Sequence, residues 1–464
     1  MTRIMAVPRP AATQGASGLR PGPGRERLFP RGAGLEAIRA AAAEAVRTVV
    51  SREEVVAALR AYNAELGNPA GEELCDALAD PDALVIVAGQ QPGVFAGPML
   101  VFSKAVQAAG LARRVAENRR GPVVPIFWNH SEDHDVDEAA VFFDFRSGSV
   151  ARKRAPLGSR RTALESLRVT EELVEFARSV LDKAGLEGAD LMPVEGERYS
   201  LWTARVLETL LAGVPLLHAE PRILRPLLGP VLGGLVEATE ALAAAALEGA
   251  DRVRAEGHEV QVEVKNPSRL FWIGEDGSRR RLLYEKGAFL PLRGAFDRSL
   301  PLREAADLAR AHPGHFSPDV LLRPVILQSL LPVAAHVCGP GESAYFAQLP
   351  PLFERAGRPL PAVVSRPRVT VLGPREERMM AESGLDPILL VSDPPRAFAA
   401  AAAAGSEIPG RTRHHLLEWI RPRGRSQERV LGPLVLLREH DPRATGRLLS
   451  GIDPLAAEEF LVVP

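Results

Sequence analysis

The sequence predicts an α/β fold built on an open parallel sheet. Three observations predict it. An apolar run, Ala83–Ala88, leads into the glycine-rich turn AGQQPGVFAGP at Ala88–Pro98. A helical pattern, Pro98–Glu117, leads out of that turn, and a second apolar run, Val123–Trp128, follows. Together they read as a βαβ crossover, the opening half of a nucleotide-type unit. The glycines let the backbone curl around a ligand, and the helix start aims unpaired N–H groups at an anion. The spacing GxxxGxxxG from Gly89 meets neither the dinucleotide fingerprint nor the P-loop pattern.

The remaining elements follow in order. Leu35–Val50 reads as a helix, and Ser51 with Glu54 makes a capping box for a second one to Leu66. On the crossover helix Met99, Phe102, Val106 and Ala109 share the sheet-covering face, with Lys104, Gln107 and Arg114 elsewhere. Val141–Phe145 is a further strand candidate. Tyr199–Leu211 reads as a helix, Val214–His218 as a short strand and Pro226–Arg254 as helical. Glu259–Val264 (EVQVEV) alternates cleanly, and Leu270–Ile273 and Arg281–Tyr284 flank an acidic glycine turn, which predicts an antiparallel module. Val333–Val337 and Ala362–Val364 read as buried strands, with a short helix at Leu352–Ala356 between them.

This order divides the chain. Residues 1–28 form a disordered or loosely docked arm without the apolar core of a signal peptide. Residues 29–145 hold the first helices and the start of the core. An insertion, 146–197, is polar and helical. Core follows at 198–252, a β-rich insertion at 253–315, core again at 316–372, and short helices and loops at 373–464. Lysine plus arginine number 57 against 58 acidic residues, so no basic excess points to nucleic acid or an anionic membrane. No apolar run reaches the ~18 residues of a membrane span. Two cysteines, Cys75 and Cys338, fit a reducing cytoplasm and are too few for a disulfide framework.

Two further segments carry chemistry. PIFWNHSEDHDVDE, at Pro125–Glu138, ends an apolar strand and delivers His130, Glu132, Asp133, His134 and Asp135 to the carboxyl edge of the sheet. Ligands bind at that edge in open α/β sheets. Such groups hold an amine, act as a general base or, less readily, ligate a metal, and no established metal-ligand spacing is matched. The plain alternative is a solvated acidic loop. PVAAHVCGPGESAYF, at Pro332–Phe346, supplies a second turn, Gly339, Gly341 and Glu342. Glu342 there either caps a helix or faces a ligand. Cys338 reads as a small buried hydrophobe. Arg323 and Arg366 meet either a ligand carboxylate or a structural partner.

Taken together these motifs resemble the BshC family, the cysteine-adding enzymes of bacillithiol biosynthesis. GQQPGVFAGP is similar to the family's GQQAGLFTGP, FWNHSEDHD to its FW–x–x–x–EDHD, and FSPDVLLRPV with LLPVAAHVCGPGE to its SPNVLLRPV and LLPTVAYVGGPGE. RPRGRSQERVLGPL resembles its PKGKLQERVYN element. The resemblance runs from Tyr62 to Glu439. It implies a Rossmann-like core, two connecting insertions and a helical coiled-coil arm. It also implies an amide-forming ligase that joins L-cysteine to the amine of glucosaminyl-malate, with the carboxyl activated by ATP and magnesium as an acyl-adenylate. On this reading Gly89, Gln90, Gln91, Gly93 and Gly97 line the pocket with His130 and Glu132. Asp133, His134 and Asp135 position the amine and take its proton. Gly339, Gly341 and Glu342 form the opposite wall, and Arg323 holds malate. Ala96 stands where the family has threonine, and Leu327 and Gln328 where it has a Gln-Asp pair. The segment between Val371 and Gln427 contains Pro374, Pro387, Pro394, Pro395 and Pro409, leaving no room for a long coiled coil. A monomer or weak dimer follows. Two alternatives stay open: an adenylating enzyme acting on another acid, and a metabolite-binding relative without catalysis.

Overall fold

Five strands form the central sheet: β1 (Leu84–Gln90), β2 (Val123–Asn129), β3 (Leu217–Ala219), β4 (Val333–Cys338) and β5 (Ala362–Ser365). In the computed structural model, which describes residues 2–7, 27–29, 32, 34–45, 48–158, 161–186, 189–456 and 459–464, their order is β5-β4-β1-β2-β3. Every pairing is parallel. Both faces are covered, which explains the unbroken apolar runs. Leu84, Ile86 and Ala88 enter one core, whereas Val85 and Val87, pointing the opposite way, enter the other.

The turn after β1 leads into helix α1 (Met99–Ala116), with Pro98 at its N-cap. Lys104 and Gln107, expected off the covered face, are both buried. The helix is enclosed more fully than its apolar stripe indicates, because the C-terminal region packs on it. The short helix α2 (Val136–Ala139) follows β2. Helix α3 (Arg323–Leu330) precedes β4, and α4 (Pro340–Phe346) follows it. Glycine turns after β1 and β4, and the acidic loop after β2, thus lie at one sheet edge.

Several expectations are corrected. The expected strand at Val141–Phe145 forms, as Val141–Arg146, but it pairs antiparallel with Ser149–Arg154 rather than joining the central sheet. Ser147 and Gly148, both at positive φ, make the tight hairpin. The insertion it opens also carries the expected helix, Glu171–Ala184. Glu259–Val264 forms no strand. Val262 N–H donates to the Gln348 side chain and its carbonyl accepts from the same amide, each at 3.0 Å. The alternation is real, since Val262 and Val264 pack on the core, but a glutamine replaces the neighbouring strand. Within the arm, Arg3–Val7 is a strand, antiparallel to Glu459–Val463, which in turn lies parallel to Arg368–Val371. The surrounding proline, glycine and arginine masked that short strand in composition. Residues 8–26 of the arm lie outside the described residues.

Among the described residues no single helix is long and apolar enough to cross a membrane. One bent pair, Pro221–Glu237 with Thr239–Ala255, meets the length and composition test only jointly, with a 76° angle. Leu232, Val236, Ala246 and Val253 from that pair are fully buried within the protein.

Candidate functional site

The glycine turn tightens because its backbone leaves ordinary territory. Phe95, Ala96 and Gly97 have φ of 53°, 63° and 89°. Two of these are not glycine, and buried packing of Phe95 against Phe142 and Trp202 holds the arrangement. Gly89 is required for a different reason. A Cβ there would sit 2.7 Å from both His130 Nε2 and the Trp128 carbonyl. The loop after β2 therefore lies directly against the end of β1.

A cavity of about 720 Å³ opens between the turns. Its wall includes Gln90, Gln91, Gly93 and Gly97 from the first turn and Gly339, Gly341 and Glu342 from the second. All seven belong to the expected pocket set, and the fold brings them together. Gly89 contributes from just behind the wall, through its carbonyl.

Lys104 joins the two turns. Its Nζ donates to the Gly89 carbonyl at 2.8 Å and Gln90 Oε1 at 2.9 Å, and lies 2.6 Å from Glu342 Oε2. Glu342 also accepts from Gly339 N–H at 2.7 Å. It is thus both cap and cavity wall, so the two readings of this residue coincide. Sequence reasoning missed Lys104. The available signal was a lysine flanked at i−4 and i+4 by Leu100 and Ala108 on a helix that must cover a sheet.

The acidic loop behaves otherwise. Backbone from the first insertion pins it, with Leu164 N–H donating to the Asp133 carbonyl at 2.8 Å and Glu165 N–H to that of Ser131 at 2.7 Å. Arg279, from the second insertion, donates to His134 Nδ1 at 3.1 Å. That contact occupies the Nδ1 lone pair and leaves the proton on Nε2, so His134 has no free lone pair to act as a base. Burial pushes the His134 pKa down, and Arg279 lowers it further. Arg279 is itself lowered to about 10, by burial first. Burial pushes the Asp133 carboxyl up, but Arg323, Arg279 and the His134 N–H outweigh it and hold it below the usual range. Asp135 accepts from Glu138 N–H at 2.9 Å and caps α2. None of these three faces the cavity.

His130 is enclosed behind the first turn. Desolvation, with Arg323 and Lys104 nearby, drives its pKa well below the ordinary value. Glu132 is fully buried, with Oε1 2.5 Å from Arg323 Nε. Arg323 therefore has an internal partner. Arg366 is likewise structural, paired bidentately with buried Glu428 at 2.7 Å on both arms. Cys338 is buried as expected, and its thiol pKa is pushed well up by that burial.

The motif's contribution to the cavity is Glu138, from α2. Burial raises its carboxyl pKa, the negative charges of Asp135 and Asp133 add to the rise, and a hydrogen bond with Gln91 opposes it. The C-terminal segment adds Arg425 and Arg429 to the wall. It also occupies the start of α1, since Met99 N–H donates to the Leu431 carbonyl at 2.9 Å. That N–H, expected to face an anion, is already satisfied.

The comparisons agree with this architecture. The family model described as "Bacillithiol biosynthesis BshC, N-terminal Rossmann-like domain" matches residues 27–367. The chain belongs to the BshC family. BshC relatives include proteins of Solibacter usitatus (33% identical, covering 76% of this chain and 66% of the relative) and Salinibacter ruber (30%, covering 75% and 65%). A third, from Symbiobacterium thermophilum, is 33% identical over 72% of this chain and 64% of the relative. All three are named, provisionally, cysteine ligase BshC. The matched region spans just under two thirds of these relatives' length. The departures from the BshC motifs fall off the cavity wall. Leu327 is buried in the core, Gln328 donates to the Val333 carbonyl at 3.2 Å, and Ala96 is buried within the turn.

Proposed function

We propose that this chain is an amide-forming ligase that joins the carboxyl of L-cysteine to the amine of glucosaminyl-malate. The observation that carries the reading is convergence. The glycine turn, the Gly339–Gly341 turn and the C-terminal segment meet around one cavity that holds a carboxylate of raised pKa and two arginines without an ion-pair partner among the described residues. The identities of the substrates come from the names of the relatives and the motif resemblance.

The chain's own residues do the following. An amine is protonated near neutral pH and attacks only after losing a proton. Glu138 accepts that proton. Its raised pKa makes it a stronger base than an ordinary carboxylate, and Gln91 orients it. Glu342, fixed by Lys104 and Gly339 N–H, presents a charge-neutralised wall opposite the first turn. Bound ATP would supply the activation that a free carboxylate needs.

The test is direct. The purified chain with L-cysteine, glucosaminyl-malate and MgATP should give the amide product by mass spectrometry. Removing the gene from its host should abolish bacillithiol while glucosaminyl-malate accumulates. No product in vitro, together with unchanged thiols in the deletion strain, overturns the proposal.

A further inference from the structure

Charge balance within the cavity is uneven. Lys104 is neutralised by Glu342, and Arg366 by Glu428. Glu138 is hydrogen-bonded to Gln91. Arg425 and Arg429 remain, both exposed at the wall and neither with an ion-pair partner within 4 Å among the described residues. Glu138 is the carboxylate whose charge Arg429 feels.

The segment that carries them is rigidly held. Gln427 is fully buried, accepts from Val371 N–H at 2.7 Å and donates to the carbonyls of Val371 at 3.0 Å and Trp419 at 2.9 Å. Glu428 accepts from both arms of Arg366 and from Val369 N–H at 2.9 Å. The inward pair fixes the segment, and the residues flanking it project the two guanidiniums toward the cavity. Such pre-organisation reduces the ordering cost of binding. Guanidinium is the group that meets carboxylate by paired hydrogen bonds.

We infer that Arg425 and Arg429 form a carboxylate clamp, which selects a substrate bearing a dicarboxylate arm and seats that arm against the C-terminal segment. This rests on the ligase reading and assigns the malate end of the acceptor to these residues rather than to Arg323. The amine end then lies toward Glu138 and the first turn. Selection is by charge and geometry: a neutral analogue leaves both arginines unpaired and is rejected.

The experiment uses the full chain and two probes, L-malate and its uncharged diamide, in calorimetric titrations. L-malate should bind and the diamide should not. Arg425→Gln and Arg429→Gln should each weaken malate binding about 10- to 100-fold, the range for losing charge-assisted hydrogen bonds. Arg411→Gln, an exposed residue outside the cavity wall, should leave it unchanged, and matched thermal melts would show that the variants fold. Equal affinity for both probes, no malate binding by the parent chain, or unchanged binding by both variants overturns the clamp. Turnover separates the two proposals. If the parent makes the amide and the variants keep its KM for glucosaminyl-malate, the clamp fails and the ligase stands. If malate binding depends on the arginines but no amide forms, the clamp stands and the ligase fails.

Discussion

Glu138 and Asp135 lie three residues apart and have opposite expected phenotypes. Glu138 faces the cavity, so Glu138→Gln removes the proton acceptor we propose and should lower kcat by about 10²- to 10⁴-fold. Asp135 caps α2 from outside the cavity, and asparagine caps as well as aspartate. Asp135→Asn should therefore keep most activity and the full melting temperature. It should nonetheless move the pH profile. Asp135 raises the Glu138 pKa. Removing that negative charge lowers it, so the acid limb of kcat/KM should shift to lower pH. An unmoved limb with a collapsed rate would mean that Asp135 itself touches substrate. The motif was legible in the sequence as a place, because an apolar strand ended where the charges began. Which carboxylate faces the cavity was not legible. That depends on Arg279 and Leu164, residues from two insertions that reach back over the loop.

The glycine turns are coupled elements. Lys104 sits at 3% side-chain exposure between them, against Glu342 at 23%. Removing one partner of a buried pair leaves an uncompensated charge. Lys104→Met should cost roughly 3 kcal/mol, the low end for such a break because Glu342 keeps some solvent. The double variant with Glu342→Gln should be less destabilised than the sum of the single changes. Denaturant unfolding of the four proteins measures this; strict additivity would show that the two turns are not coupled through this pair. Strand and helix positions here followed from local pattern, since parallel strands buried on both faces read as apolar runs. Glu259–Val264 shows the limit. Its period-two pattern records burial of Val262 and Val264, not hydrogen bonding, and the Gln348 amide that satisfies its backbone lies 86 residues away.

At the scale of the whole molecule, the C-terminal region serves the site rather than a distant arm. Its helices within 374–426 are short: Pro374–Glu382, Pro387–Ser392, Pro394–Ala403 and Gly410–Ile420, the longest having 11 residues. Coiled coils need apolar positions sustained over several heptads. These helices instead turn their large side chains inward. Leu416, Trp419 and Ile420 are buried in the chain's own core, and Trp419 Nε1 donates to the Val371 carbonyl at 2.8 Å. His415 pairs with Glu376 at 2.7 Å, tying the last of these helices to the first. The large apolar side chains that are well exposed among the described residues, Val49, Val194, Leu247 and Leu283, all lie outside this region. With the large apolar side chains of its helices turned inward, this region gives a second copy little to bury. We expect the chain to sediment at micromolar concentration near the 50.0 kDa of one copy, or as a weak dimer that dissociates on dilution. Trp419→Ala should then act as a core mutation, lowering the melting temperature without altering the sedimenting mass. A dilution-resistant dimer that Trp419→Ala splits would show that these helices pair between chains.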